Sequence, residues 1–412
     1  MQKDLKTAII CDWLIDFGGA ELVISHLLEM YPEADIFTSV RYMEHPMLEG
    51  RRVYTSWIQR IPFFNRKHKL AGILRPWAFR SFDLSGYDIV ICSSSAESKQ
   101  VAIKNSKFKI QNSKSGTKES GISNLESGIK KPVVFCYCHT PTRYYWSHAR
   151  EYEDMMEFGF LNSLVKGVFR LVKGWMQRVD YEAAQRVDYF IANSQTTAER
   201  IQKYYNRESE VIYPGVESSL QKAESRKQNG TIKDNSALPT ANCQLPTPYY
   251  LGMSRCIPYK RLDLLVDAFN QNGKKLILCT NTDTLLYREL KAKSKPNIEW
   301  KFRVSNEEKN ELMTNARAFL FPPEEDFGLV PVEAMMVGTP VIAYGVGGGT
   351  ESVVDGETGI FFTPQTPEAL NTAIEKFENM EWDKNKIKER GMEFSKEKFQ
   401  GKISQFIESH AN

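Results

Sequence analysis

Short apolar runs of strand length alternate with helix-forming stretches twice along this chain, and few architectures satisfy that alternation. In the first half, Thr7 to Cys11, Ile36 to Thr38, Asp88 to Cys92, Val133 to Tyr137, Tyr189 to Ala192 and Val211 to Tyr213 read as parallel strands. Helices are clearest at Ala20 to Met30 and Ala198 to Tyr205. The second half repeats the pattern through Tyr250 to Met253, Leu276 to Cys279, Ile298 to Trp300, Ala318 to Phe321 and Val341 to Ala343. The expectation is an α/β chain of two Rossmann-like, doubly wound domains. Its 412 residues suffice for two cores.

Composition narrows the function classes. A formal net charge of only +3 supplies no global field for nucleic acid. No run reaches the roughly 20 apolar residues that a membrane-spanning helix needs. The start, MQKDLKTAIICDWL, passes straight into a strand without a signal-peptide cleavage region, and the seven scattered cysteines suit a reducing cytoplasm. Cys136-Tyr-Cys138-His139 reads as alternate residues of a strand entering a loop; no second ligand pair has metal-site spacing. Two polar stretches interrupt the pattern, an expected mobile insert at 104–131 and a linker at 217–247. The expected division is residues 1–216, then 248–383, with helices in 384–412 returning to the first domain.

The densest chemistry lies in FPPEEDFGLVPVEAMMVGTPVIA, Phe321 to Ala343. A buried strand runs into a Pro-Pro break and three acids, then Phe327-Gly328 and the apolar run Leu329 to Val337. A helix starting near Gly328 offers free N–H groups and the positive end of its dipole, a seat for a diphosphate. Glu325 and Glu333 would repel that anion. They suit hydroxyls flanking it, on a sugar at one end and a ribose at the other, rather than the close pair of a hydrolase. Taken alone, Glu324, Glu325 and Asp326 also fit ordinary acids at a helix start. Upstream, Arg255 leaves one strand and Lys260 opens the next helix in YYLGMSRCIPYKRLDLLVDAFN, so both can converge at the carboxyl edge of a parallel sheet. An Arg fork with a Lys point charge suits a leaving diphosphate, although a solvated helix start would look the same.

Together these segments resemble the retaining family-4, or group 1, glycosyltransferases. The hallmark glutamates with seven residues between them are met by Glu325 and Glu333 in EDFGLVPVE, and Arg-x4-Lys by Arg255 and Lys260. Further matches are DWLIDFGGAE, YCHTPTRYYW and ANSQTTAERIQKYYNRESEVIYPGV, so the resemblance covers most of the chain outside its two inserts. YCHTP with PYKRLDL looks most like the bacterial mannosyltransferase-type branch that builds cell-surface polysaccharides. The resemblance implies a GT-B fold, with the two domains facing across a cleft. It implies hexosyl transfer with retained configuration, no cofactor and no essential metal.

Roles follow by resemblance. Arg255, Lys260 and amides near Gly328, Leu329 and Val330 would hold the nucleotide diphosphate of a GDP-mannose or UDP-sugar donor. Glu325 would fix the sugar hydroxyls and Glu333 the ribose, with Phe327 and Val304 lining the donor site. Gly18 and Gly19 would approach the diphosphate or the sugar, or form a plain turn. His139 would bond a sugar hydroxyl, and Arg143 and Tyr144 would touch a glycan or lipid-linked acceptor. Two features depart from the family pattern. Asn281-Thr282 lacks a usual glycine pair, and Phe302-Arg303-Val304 replaces Gly-Arg-Val, which leaves the nucleobase open.

Arg51 to Phe82 and Phe158 to Val179 contain no acid and mix cations with Trp and Phe. Such faces suit docking on an anionic membrane, and equally a solvated face over a buried one. Two rivals to the transferase remain, a non-catalytic nucleotide-sugar-binding protein and a GT-B epimerase acting on the nucleotide sugar itself.

Overall fold

A computed structural model describes residues 5–62, 68–101, 131–147, 162–217 and 248–411. Most of the expected insert, 104–130, and most of the linker, 218–247, lie outside the described residues, as do Arg66 and Lys67 of the basic stretch. The chain forms two compact units. The first holds Met1–Asn193, Thr197–Ile212 and Ile403–Asn412, the second Ser194–Thr196 and Tyr213–Lys402.

The first unit is built on strands β1 (Thr7–Cys11), β2 (Asp35–Thr38), β3 (Val53–Thr55), β4 (Ile89–Ser94), β5 (Val133–Cys138), β6 (Tyr189–Ala192) and β7 (Glu210–Val211). They form one sheet in the order β3-β2-β1-β4-β5-β6-β7, every pairing parallel. Helices α1 (Gly19–Met30), α2 (Arg75–Arg80), α3 (Asn162–Ala184) and α4 (Gln195–Tyr205) accompany it. The central strands β1 and β4 are buried along their whole length, as a sheet covered on both faces requires. Phe406, near the end of the chain, packs edge-on against Phe135 and Tyr189 in this unit.

The second unit contains β8 (Tyr250–Met253), β9 (Leu276–Thr280), β10 (Ile298–Phe302), β11 (Ala318–Phe321), β12 (Val341–Tyr344) and β13 (Gly359–Phe362). Their order is β10-β9-β8-β11-β12-β13, again all parallel. Alternate residues of one strand enter different cores: Leu276 and Leu278 join one cluster, Ile277 and Cys279 the other. That period of two, with both sets apolar, is the mark of a sheet covered on both faces. The helices are α5 (Leu262–Asn272), α6 (Leu285–Lys293), α7 (Asn306–Asn315), α8 (Leu329–Met336), α9 (Gly349–Ser352), α10 (Pro367–Glu378) and α11 (Lys384–Met392). Gly391 of α11 lies so close to the backbone of Met335 and Met336 that a Cβ there would sit 2.6 Å from the Met336 nitrogen. The final helix, α12 (Lys396–His410), contributes residues to both units.

Sequence patterning missed β3 and β13, the edge or near-edge strands, and began β7 one residue late. Helix α8 starts at Leu329 and stops at Met336, one residue short of the apolar run.

Candidate functional site

Open parallel sheets bind ligands where the strand order reverses, because two neighbouring loops there diverge to opposite faces. In the second unit the reversal lies between β8 and β11. Arg255 and Lys260 leave β8, while Glu325 and Gly328 leave β11. The sequence thus delivers its basic pair and its acid to adjacent loops.

The Lys260 ammonium forms an ion pair with the Glu325 carboxylate, both side chains being less than one-fifth exposed. Arg255 donates to the Tyr259 hydroxyl at 3.2 Å, and the Lys260 ammonium lies 5.3 Å from the centre of the Tyr259 ring. A short 3-10 turn at Pro258–Lys260 shapes this loop, and Arg261 ends it in the left-handed conformation, φ +54°. Glu333 takes a different partner: it is paired with Lys309 of α7 at 2.5 Å. Arg255, Lys260 and Glu325 therefore belong to one pair of loops, and Glu333 to a separate ion pair.

Helix α8 begins at Leu329 with no side-chain cap and no acid in its first turn. Its leading N–H groups have no capping side chain, the condition that favours an anion at such an end. Gly328 makes this start possible. Its φ is +88°, and a Cβ would lie 2.7 Å from the Phe321 ring. Phe327 is buried, while Val304, Leu329 and Val330 are half-buried against the same core.

One element of the site was not singled out from the sequence. Gly345-Val346-Gly347-Gly348-Gly349 follows β12, the neighbour of β11, and presses on the loop carrying Glu325. The Gly348 amide donates to the Glu325 carbonyl at 2.7 Å. A Cβ on Gly348 would lie 2.1 Å from the Asp326 carbonyl oxygen. Four glycines in five residues after a strand were the available signal.

In the first unit the order reverses between β1 and β4. Buried Asp12, just beyond β1, accepts from the amides of Ser95 (2.6 Å), Ala96 (2.9 Å) and Ser98 (2.6 Å) beyond β4. Gly18 and Gly19 open α1, and the Gly18 amide donates to the Glu21 carboxylate at 3.0 Å. Burial first, then the charges of Asp12 and Asp16, raise the Glu21 carboxyl to about 7, against the pull of two amide bonds. His139 follows β5 directly. Its amide donates to the Ser94 carbonyl at 2.8 Å, and its Nε2 lies 2.8 Å from the Ser93 hydroxyl. The Tyr144 hydroxyl meets the Glu97 carboxylate, which also takes the Tyr145 hydroxyl (3.2 Å) and Arg75 (2.9 Å). Arg143 is half-buried in the same turn.

The two basic-aromatic stretches meet. Trp77 of α2 stacks on Trp175 of α3, with centroids 5.2 Å apart, and each ring is about two-fifths exposed. Arg170 and Arg178 of α3 are exposed. Among the described residues no helix is long and apolar enough to cross a membrane, and no cluster of three or more His, Cys, Asp or Glu side chains could hold a metal ion.

Family profiles and known proteins match this chain. Residues 242–394 match the family profile "Glycosyl transferases group 1", and residues 120–220 match "Glycosyltransferase Family 4". The α-1,3/1,6-mannosyltransferase ALG2 of Dictyostelium discoideum is 26% identical over 298 residues, covering 65% of this chain and 66% of its own. The O-antigen chain mannosyltransferase RfbU of Salmonella typhimurium is 25% identical over 210 residues, 48% of this chain and 53% of its own. The matched region thus spans between about half and two-thirds of these relatives' length. Among solved structures, Anabaena HepE in complex with UDP and glucose superposes with a TM-score of 0.64 at 19% identity, over 98% of this chain and 100% of that one. WaaG, a glycosyltransferase of lipopolysaccharide biosynthesis, gives a TM-score of 0.58 at 14% identity, over 97% and 99%.

Proposed function

The chain belongs to the group 1, family 4 glycosyltransferases and has their two-domain GT-B fold, and we propose that it transfers a hexosyl group with retained configuration. The proposed donor is GDP-mannose, and the acceptor is a glycan or lipid-linked glycan of a cell-surface polysaccharide. The mannosyltransferase names of ALG2 and RfbU support that donor. A UDP-sugar is the alternative, since HepE binds UDP.

One observation carries the reading: Lys260, paired with Glu325, lies at the same strand-order reversal as the uncapped start of α8. A nucleoside diphosphate needs cations and N–H donors aimed at one anion, with acceptors beside them for hydroxyls. Arg255, Lys260 and the amides from Leu329 onward supply the first set. Charge accumulates on the diphosphate as the glycosidic bond breaks, so donors fixed in advance lower that barrier. Glu325 accepts from the sugar hydroxyls, and its ion pair with Lys260 links sugar position to phosphate position. Glu333, oriented by Lys309, accepts from the ribose. Phe327 and Val304 line the apolar side of the donor. His139 and the Gly18-Gly19 turn act on the transferred sugar, and Arg143 on the acceptor.

Peripheral contact with anionic membrane is part of the proposal. The stacked Trp77 and Trp175 suit the headgroup boundary, and Arg170 and Arg178 suit anionic lipid. Exchanging both tryptophans for alanine should abolish co-sedimentation with phosphatidylglycerol vesicles, and unchanged sedimentation removes this part. The site then lies on the cytoplasmic face of the membrane.

The deciding experiment incubates the purified chain with a panel of nucleotide sugars and follows protection against heating, then product formation. GDP-mannose should protect saturably. Lys260→Ala should lower turnover by about 10²- to 10³-fold with the fold intact, the loss seen when one charge-stabilising donor is removed. Near-parental turnover in that variant refutes the site. Epimerised donor without any acceptor would identify an isomerase instead.

A further inference from the structure

An exposed aromatic ring stands at the carboxyl edge of the first sheet, next to the Gly18-Gly19 turn. Phe17 lies in the loop from β1 to α1 and keeps 45% of its surface exposed. One face is covered: the His45 ring stacks on it, with centroids 4.3 Å apart and planes 13° from parallel. His45 belongs to the loop from β2 to β3. Backbone bonds zip these two loops together beyond the strands. The Leu14 amide donates to the Val40 carbonyl at 2.9 Å, and the Tyr42 amide to the Leu14 carbonyl at 2.8 Å. Leu14 itself is wholly buried. Phe17 is thus held between this anchor and the Gly18 amide, which donates to Glu21. The His45 Nδ1 accepts from the Met47 amide at 3.3 Å, which fixes the ring that supports Phe17.

Scattered exposed apolar side chains are ordinary. This ring, however, is held flat by loops that leave the sheet edge where folds of this kind bind ligands. Three kinds of ligand could cover it: a nucleobase with its phosphates, the headgroup region of an anionic lipid, or a pyranose. Charge decides among them. Exposed Asp16 precedes Phe17, and exposed Glu44 precedes His45. The cation of the second loop, Arg41, is half-buried and donates to the Met43 carbonyl at 3.4 Å. Two carboxylates beside the platform repel phosphate, and they accept hydrogen bonds from hydroxyls. A pyranose offers both complements, a face of C–H groups for the negative face of the aromatic ring and hydroxyls around its rim.

We infer that Phe17, braced by His45, is the platform on which a neutral pyranose of the glycan acceptor stacks, with Asp16 and Glu44 accepting from its hydroxyls. The use of the platform in transfer rests on the function proposed above; its capacity to bind a pyranose does not. His45 is a positioning residue that acts through the Phe17 ring. An acceptor carrying a carboxylate or phosphate on the stacked sugar is refused.

The test uses the full chain with ¹³C-labelled phenylalanine rings, to which methyl glycosides of mannose, glucose and galactose are added without any nucleotide sugar. The Phe17 signals are those lost in Phe17→Leu. They should move saturably with at least one glycoside, and the sugar C–H protons should shift upfield as they enter the ring current. No saturable movement with any of the three overturns the inference, as does movement with GDP or phosphatidylglycerol vesicles in their place. Phe17→Tyr should bind like the parent, and Phe17→Ala should lose about tenfold in affinity, the loss of one aromatic contact. His45→Asn keeps a capping side chain for the short turn at Pro46–Leu48 but has no ring. It should weaken binding several-fold, and unaltered affinity refutes the bracing role. In hexosyl transfer, Phe17→Ala should raise KM for the glycan about tenfold, with KM for the nucleotide sugar parental. A parental KM for the glycan removes the platform from the reaction. A chain that binds glycosides at Phe17 but transfers no sugar refutes the proposed function and leaves the platform standing.

Discussion

Gly348→Ala tests the architecture of the proposed donor site without removing any functional group. Gly348 has φ −63° and ψ −16°, a helical conformation that alanine adopts without strain. Any effect must therefore come from the added methyl. That carbon would lie 2.1 Å from the Asp326 carbonyl oxygen and 2.4 Å from the Phe327 Cα, where ordinary contact begins at 3.4 Å. Both obstacles are backbone, so no side-chain rotation relieves them. The loop carrying Glu325 and leading into α8 must retreat by about 1 Å, and a misplacement of that size in a positioning element costs on the order of 10²-fold in rate. Overpacking adds about 1–3 kcal/mol of destabilisation. We expect kcat/KM for the nucleotide sugar to fall about 100-fold, with a melting temperature lower by about 2–12 °C. Steady-state kinetics with calorimetry separates the two effects. Gly401→Ala is the control: it lies inside α12 with nothing within 4 Å of its would-be Cβ. It should leave kinetics unchanged and stabilise by about 0.5–1 kcal/mol. Gly348→Ala with parental kcat/KM and melting temperature would refute the claim that the glycine run braces the Glu325 loop.

Two further predictions concern the first unit. Glu21 is raised by burial from 4.5 to about 7, so the folded state binds its proton more tightly than the unfolded chain does. Its stabilising contribution is full below pH 4.5 and is lost as the pH rises through 7, a change of about 3 kcal/mol. Glu21→Gln should flatten melting temperature against pH across that window, and an unaltered slope would contradict it. Glu97→Ala should cost about 3–5 kcal/mol in denaturant unfolding, because it removes the buried carboxylate that pairs with the buried Arg75 charge and accepts from two tyrosine hydroxyls. A loss below about 1 kcal/mol, the value of an exposed pair, would contradict that account.

The alternation of apolar strands with helices was legible because central strands such as β1 and β4 are covered on both faces and remain apolar throughout. Val53-Tyr54-Thr55 was not: a three-residue edge strand, half-buried to exposed, has no pattern to distinguish it from loop. The placement of Arg255, Lys260 and Glu325 on neighbouring loops was legible because each follows a strand end closely, so chain order nearly fixes spatial order. The glycine run after β12 was missed because its reason is contact with a loop some twenty residues upstream, which composition does not encode. Nor could sequence show that the Tyr144 hydroxyl is engaged by Glu97, 47 residues earlier. The Ser93–His139 bond depends likewise on how β4 registers against β5.

The closing residues of the chain complete the unit that its opening residues begin. Cutting between Ile212 and Tyr213 would not release a self-sufficient N-terminal fragment, because the fragment would lack Phe406 and His410, whose rings lie against Tyr189. Deletion mapping from the C-terminus would therefore first injure the half of the molecule farthest away in sequence. Exchanging front halves between relatives would need the tail grafted along with them.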